Sequence, residues 1–524
     1  MTEIGSNVAD SRKKEKLSNL LVLSIFLPFL FLALVHVVFL IRLVGVRNDT
    51  TYPEAASLYS FLTTLHTGNL YADPFQLPLN IQTYGPAFYF VGAILAKIAH
   101  GDPMMTAELA RMVSLFSFFA SVALLGFLCF RLEGRRMQTA IVVILGLACA
   151  WAVPACASAR ADALSIFLIL GALTVYCEAR GRSRLIFWAG ILGTLSCLTK
   201  QSTAPVLVAL FIDTLIAMRF RNTIALILGS VPVPAMVLSA LWLRHEQFKA
   251  NFFALGHAVY SWPGAFHTTI DLLRTNQVAI VPILIAMVGI GLSWRKEKYR
   301  AILLASAIAF LSSVAALANI GGAGNYMMLP WLLVILFVPP SLVLFEQWTR
   351  RTAVVPLGLL LVGVLLVIHQ RNLLPAKLPI DLDTDGVSKF NMLSNSSYIE
   401  MHSREPQLLD ANFYNQLALG KAFSFAPILG KIDREHYDLI LIGGEDGEAT
   451  SDFVVEHYRG SSYWGADTVE EMRRHYRPLC EVPDYLALVP RDRSDVPEEG
   501  DIARIFRQPC HRTERMPQLA AGVR

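Results

Sequence analysis

Apolar runs of about 20 residues, broken by short polar stretches, fill the first two thirds of the chain. That is the length of helix needed to cross a hydrocarbon core of about 30 Å. The first run is Leu20–Ile41. A mixed stretch at 42–107 follows, too polar to cross lipid as a whole. Further runs lie at 108–130, 138–156, 162–179, 185–198, 203–218, 223–243, 276–294, 301–318, 326–345 and 353–369.

Basic clusters alternate with these runs and set their direction. Arg12, Lys13, Lys14 and Lys16 precede the first and keep the amino terminus in the cytoplasm. Arg131/Arg135/Arg136, Arg180/Arg182/Arg184, Arg219/Arg221, Arg295/Lys296/Lys298/Arg300 and Arg350/Arg351 are the later cytoplasmic clusters, with two runs between each pair. The apolar stretch 84–100 breaks the rhythm. As a span it would carry Arg131, Arg135 and Arg136 to the outer face. It is predicted to lie at or dip into the outer interface, which leaves about eleven spans. The first run is too long for a signal-peptide core and lacks a small-residue cleavage site, so no cleavable signal is expected.

Within the outer loop 42–107, Pro53 suits the first turn of a helix. Ala55, Leu58, Leu62 and Leu65 recur at helical spacing, with Ser57, Thr64 and Thr67 toward the other side. Gly68 is the expected stop. The pattern predicts an amphipathic helix resting on the outer leaflet, with Glu54 in a first turn that favours an ionised carboxylate. A longer outer loop, Arg244–Asn276, is rich in aromatic residues and holds His257 and His267 as surface or interface histidines.

After His369 the chain turns polar. Strand-like runs at Asp438–Ile442 and Leu486–Val489 and helix-like runs near Asn412–Gly420 and Thr468–Tyr476 predict a small α/β domain facing outward. The expected organisation is a cytoplasmic tail at 1–19, a polytopic α-helical membrane domain at 20–369, an extracytoplasmic α/β domain at 370–490 and a mobile tail at 491–524.

Composition agrees. Of 524 residues 54% are hydrophobic and only 16% charged, against about 25% charged in average soluble domains. A formal net charge of +4 implies no nucleic-acid partner. Cys129, Cys149, Cys156, Cys177 and Cys197 fall in or beside apolar runs and read as small core residues. Cys480 and Cys510 lie in the polar part and can pair if it faces an oxidising compartment. No CxxC or HExxH spacing requires a metal, although a divalent cation is compatible with the chain. The glycines of IGGEDGE lack a nucleotide-loop pattern.

The chemistry gathers at one membrane face. Glu54, Arg111, Arg160, Asp162 and Lys200 come from four segments, and ionisable residues at membrane depth are functional unless they snorkel. Each also has a plainer role. Arg111 can snorkel, Arg160 and Asp162 can form a structural ion pair, Lys200 can anchor an interface, Glu54 can simply start a helix, and Asp73 before Pro74 can form a turn. Together they suit transfer from a polyprenyl-phosphate sugar, which needs a carboxylate base at the acceptor hydroxyl and cations for the departing phosphate.

Seven stretches carry a family resemblance: YPEAASL at 52–58, GNLYADP at 68–74, TYGPAFYFVGAI at 83–94, ARM at 110–112, ARADALSIFL at 159–168, LTKQSTAP at 198–205 and GAGNYMMLP at 322–330. In order and placement the chain resembles the GT-C superfamily of membrane glycosyltransferases. It is most similar to the group of lipopolysaccharide galacturonic-acid transferases, protein O-mannosyltransferases and aminoarabinose transferases. The resemblance implies an inverting transfer from a polyprenyl-phosphate sugar to a glycolipid, polysaccharide or protein acceptor outside the membrane, in a multi-pass protein of a bacterial inner membrane. It places the base in the first outer loop, at Glu54 with Asp49 as the alternative. Relatives often have an adjacent Asp-Glu pair there; this chain has Asp49 and Glu54 apart. The resemblance also implies that Arg160, Lys200 and Arg111 face the donor phosphate, and that Asp73, Tyr84, Asp162, Gln201, Asn325 and Tyr326 shape the pocket. Some members of the superfamily use a divalent ion. A transporter or flippase of a lipid-linked glycan is the alternative. It would tend to place charges at the bilayer midplane and repeat its fold inverted, and no internal repeat is evident.

Overall fold

A computed structural model describes residues 23–51, 54–148, 154–179, 181–256, 260–318, 324–349, 358, 360–365, 381–419, 421–443, 464–482 and 485–511. The basic amino terminus, Pro53, His257 and most of the run 353–369 lie outside these residues.

The membrane part is a series of helices: α1 Leu27–Leu43, α2 Glu54–Thr67, α3 Pro86–Ile98, α4 Pro103–Glu133, α5 Arg136–Leu147, α6 Ala161–Ala179, α7 Ser183–Thr199, α8 Ala204–Ile216, α9 Phe220–Ser230, α10 Pro232–Arg244, α11 Glu246–Gly256, α12 Trp262–Thr275, α13 Ile280–Ser293, α14 Glu297–Leu317, α15 Met328–Val334 and α16 Val338–Thr349. Every described run expected to cross the membrane carries helix. Among the described residues, five helical stretches are both long and apolar enough to cross: Pro103–Glu133, Ala161–Ala179, Phe220–Arg244, Glu297–Leu317 and Gly324–Phe345. A sixth is the pair Trp262–Thr275 and Gln277–Ser293, bent by 86°. Large apolar side chains such as Phe116, Leu284 and Leu311 point outward from these helices, as a lipid-facing surface requires.

Pro103 opens α4 under an Asp102 cap, whose carboxylate accepts from the Met105 amide, and left-handed Gly134 closes it. At 31 residues and about 1.5 Å per residue, α4 exceeds the hydrocarbon thickness. Its first turns, at Ala107 and Ala110, carry α2 and α3 through a cluster of Leu58, Phe61, Phe88 and Tyr89. The 13-residue α3 covers roughly 20 Å, less than a hydrocarbon core. Gly68 ends α2 with a φ of 74°.

The expectation that α2 lies on the outer leaflet needs correction. Ala55, Ser57, Leu58, Ser60, Phe61 and Thr64 are buried, on both its apolar and its polar sides. The reason is the α/β domain, which covers the loop from above. Ala55 joins the domain's core beside Tyr398 and Ile399, and Leu79 bonds both Gln407 and Leu409 through the backbone. The described part of the loop between α1 and α4 is therefore packed between two protein layers.

In the domain, β1 Met392–Ser394, β2 Leu439–Gly443, β3 Tyr476–Val482 and β4 Tyr485–Pro490 form a sheet of order β1-β2-β4-β3. The β1–β2 pair is parallel and the other two are antiparallel. Alternate residues feed a core on each face: Ile440, Ile442, Leu486 and Leu488 on one, Leu439, Leu441, Ala487 and Val489 on the other. Helices α17 Thr384–Val387, α18 Ser397–His402, α19 Ala411–Leu419, α20 Ala426–Asp433, α21 Ala466–His475 and α22 Glu499–Phe506 surround it.

The chain at 491–511 does not form a mobile tail. Its α22 buries Ile502, Ile505 and Phe506 in the domain core. Cys510 pairs with Cys480, with Cα atoms 5.7 Å apart. Residues 512–524 lie outside the described part.

Candidate functional site

Arg111 leaves the first turns of α4 and is fully buried with Glu54, the first residue of α2. The pair is bidentate: Arg111 Nε donates to Glu54 Oε1 and Nη2 to Oε2, both at 2.8 Å. The other guanidinium donors reach backbone carbonyls of the strap between α1 and α2. Nη2 donates to Asn48 at 2.7 Å, and Nη1 to Val46 at 2.5 Å and Val44 at 3.3 Å. Glu54 also accepts from the Thr50 amide, the Thr50 hydroxyl and the Ala159 amide. Burial by itself would raise its pKa. The Arg111 charge and these hydrogen bonds overcome that and hold the carboxyl below its ordinary value.

Both oxygens of Glu54 and all three guanidinium nitrogens of Arg111 are thus engaged within the protein. They brace the strap.

The strap presents Asp49, one residue from Thr50. Asp49 is half-buried and accepts from three groups: the Ala55 amide at 2.8 Å, and the Ser397 hydroxyl and Tyr398 amide of the α/β domain, each at 2.9 Å. Burial first, and the neighbouring Glu54 charge second, push its pKa up to about 7 against the pull of those hydrogen bonds.

A second group of charges gathers at the start of α6 and the end of α7. Lys200 caps α7, and its Nζ is 2.5 Å from Asp162 Oδ1. Arg160 Nε is 3.1 Å from Asp162 Oδ2, and Asn325 Nδ2 donates to Oδ1 at 2.8 Å. The rings of Tyr84 and Tyr326 lie 5.6 and 4.9 Å from Lys200 Nζ. Gly85 makes this meeting possible, because a Cβ there would fall 2.0 Å from the Leu198 carbonyl oxygen. The backbone at Tyr84 can thus press onto the end of α7, and the Gly85 amide bonds Thr199.

Asp162, Lys200, Asn325 and Tyr326 border a cavity of about 100 Å³, together with Ser165 and Ser312 among others. Its lining sets Lys200 against Asp162, and Arg160 shares that carboxylate from beside the cavity.

The expected site residues therefore divide. Arg160, Asp162, Lys200, Asn325, Tyr326 and Tyr84 come together. Gln201 is exposed and ties its side chain to the Thr83 carbonyl, bracing the same approach. Asp73 accepts from the Phe75 amide as a turn former. Glu54 and Arg111 form the separate buried pair. The two groups are neighbours in the chain, since Glu54 holds the amide of Ala159, next to Arg160.

Ser397 and Tyr398 were not among the expected residues, and no local pattern marks them 348 and 349 positions from Asp49. Ser312 and Ser313 left a fainter signal, two adjacent hydroxyls inside an apolar run. On the α/β domain, Asp433, Glu471 and His475 bring ligand atoms within 4.8 Å of one another and could hold a metal ion. The His475 ring is also 3.3 Å from each carboxylate, as in plain ion pairs.

No family model matches the chain, and no curated protein matches it. Solved structures do. ArnT from Cupriavidus metallidurans, in the apo state, is 10% identical with a TM-score of 0.38, over 87% of this chain and 97% of that one. The oligosaccharyltransferase AglB from Archaeoglobus fulgidus, in complex with an inhibitory peptide and a dolichol-phosphate, is 12% identical with a TM-score of 0.48, over 90% and 75%. The Archaeoglobus fulgidus oligosaccharyltransferase complex with zinc and sulfate gives 11%, 0.45, 90% and 74%. These structural neighbours are GT-C membrane glycosyltransferases.

Proposed function

We propose that the chain is an inverting glycosyltransferase of about eleven spans that moves a sugar from a polyprenyl-phosphate donor to an acceptor at the outer face of the membrane. The observation that carries this reading is the pocket at Lys200. Lys200 lines a cavity beside apolar helices and Arg160, from another helix end, shares its Asp162 partner, an arrangement that suits a lipid-borne phosphate.

In this reading Lys200 and Arg160 take the charge that develops on the phosphate as the bond from the anomeric carbon to its oxygen breaks. Asp162 and Asn325 hold Lys200 in place, and Tyr84 and Tyr326 flank it. The acceptor hydroxyl attacks the anomeric carbon from the opposite side and gives its proton to a carboxylate. Asp49 takes that role in place of Glu54. A base is most effective with a pKa near the working pH, and Asp49 stands at about 7. Acceptors in scope are glycolipids, polysaccharides and proteins, and the cellular setting is a bacterial inner membrane with the α/β domain outside.

The test uses farnesyl phosphate as the probe, with the detergent-solubilised protein. Binding should saturate in the wild type and weaken at least about tenfold in Lys200→Met and in Arg160→Met. Asp49→Asn should bind the probe like the wild type yet fail to discharge the polyprenyl-phosphate-sugar fraction of the native membrane. Unchanged affinity in Lys200→Met would remove the phosphate site. Uptake of that lipid fraction into vesicles with no covalent product would replace transfer by transport.

A further inference from the structure

The strap that carries Asp49 is gripped from two sides. From the membrane domain, Arg111 holds the carbonyls of Val46 and Asn48. From the α/β domain, Asp381 accepts from the Arg47 amide at 2.8 Å and the Leu382 amide bonds the Arg47 carbonyl. Backbone bonds of this kind fix the path of the strap. Among the described residues, the side chain of Asp49 receives one side-chain hydrogen bond from across the domain boundary, that of Ser397 Oγ at 2.9 Å to Oδ2. The Tyr398 amide binds the same oxygen, while the Ala55 amide binds the other.

We propose that Ser397 is the positioning residue for Asp49, so that the α/β domain completes the carboxylate site of the membrane domain. The inference rests on the reading of Asp49 as the base. The Ser397 hydroxyl and the Tyr398 amide together hold Oδ2, so Oδ1, which takes only the Ala55 amide among these bonds, is the oxygen with more capacity to accept. The hydroxyl also favours the ionised form, because a hydrogen bond to a carboxylate is made by the charged state. The charged and titratable groups around Asp49 are Glu54 and Arg111 on the membrane side and Tyr398 on the domain side, with Arg47 and Asp381 beside Tyr398. Ser397 is uncharged, so its removal alters none of those charges.

The experiment labels the full-length protein in detergent with a hydrophobic carbodiimide, which adds to protonated carboxyl groups, and follows the Asp49 peptide by mass spectrometry across pH. Wild-type labelling should be half lost near pH 7. Ser397→Ala should move that midpoint up by about one unit, and Ser397→Thr should restore it. Glycosyl transfer from the native lipid fraction should follow, with a loss of about tenfold below pH 7 and little change well above it. Should the alanine variant lose its fold, Ser397→Cys, similar in size and a weaker donor, carries the same comparison. An unmoved midpoint in a folded variant, or a loss of transfer equal at every pH, would overturn the positioning role. Full transfer by Asp49→Asn would end the base reading by itself. An inactive Asp49→Asn with an unmoved midpoint in Ser397→Ala would end the positioning role alone.

Discussion

Lys200 Nζ stands 2.5 Å from Asp162 Oδ1, so the cation that the cavity offers to a ligand is already neutralised by a carboxylate. Arg160 shares that carboxylate. On the proposed reading, a phosphate entering the cavity joins an existing ion group of Lys200, Arg160 and Asp162.

Asp162→Asn should reveal this balance. Removing one partner of a buried ion group leaves uncompensated charge and costs about 3–5 kcal/mol. Thermal melting in detergent should fall accordingly. Added farnesyl phosphate should then recover more stability than it adds to the wild type, because the ligand replaces the missing charge. Equal stabilisation of both proteins would argue against the phosphate occupying this place.

The Glu54–Arg111 pair is predicted to be structural. Glu54→Gln should lower the melting temperature, with a cost of about 3–5 kcal/mol for a buried cation left short of its partner. Replacing both residues, as Glu54→Met with Arg111→Leu, should recover part of the loss. A Glu54→Gln variant that melts like the wild type but is catalytically dead would return the base role to Glu54.

Asp49 predicts a pH dependence with a definite sign. Its pKa is raised on folding, from 3.8 to about 7. The folded protein thus holds this proton more tightly than the unfolded chain. The resulting stability is complete below about pH 4 and is lost as pH rises through about 7. Activity runs the other way, rising as Asp49 ionises. Melting and transfer measured between pH 5 and 8 should therefore oppose each other, and Asp49→Asn should flatten the Asp49 contribution to the stability profile.

Gly85→Ala tests the geometry that brings Tyr84 to Lys200. The new methyl would meet the Leu198 carbonyl at 2.0 Å, so the segment before α3 must lift off the end of α7. Farnesyl phosphate affinity should fall about tenfold or more while membrane insertion is kept. Wild-type affinity in this variant would mean that Tyr84 has no part in the pocket.

The Cys480–Cys510 bridge closes a separation of 30 residues. A loop of that size stabilises by roughly 3–4 kcal/mol in the chain-entropy account. Cys510→Ser should lower the melting of the α/β domain and free one thiol, both measurable by calorimetry and mass spectrometry.

Much of the architecture was legible in the sequence because lipid imposes a simple rule on it. Apolar length and basic clusters marked the helical runs, and short continuous apolar runs marked β2 and β4. The meeting of Arg160, Asp162, Lys200, Asn325 and Tyr326 was legible too, since each sits at the same end of a run. The partner of Glu54 was not legible, because its helix-start position speaks of an ionised carboxylate and says nothing of who neutralises it. Arg111 settles that from 57 residues away. The burial of α2 was hidden for a similar reason. Its polar side, at Ser57 and Thr64, faces protein instead of water, and the covering layer comes from the far end of the chain. The contact between Asp49 and Ser397 has no local signature at all.

That separation has a consequence for the order in which the protein is made. Asp49 is synthesised 348 residues before Ser397. At a synthesis rate of 5–20 residues per second, the strap waits roughly 20–70 s before its outer partner exists. During that interval Arg111 is already available to hold the strap from within the membrane domain. The contact that Ser397 makes to Asp49 is therefore a late one: a chain stopped before residue 397 lacks it, whatever helices it has already formed.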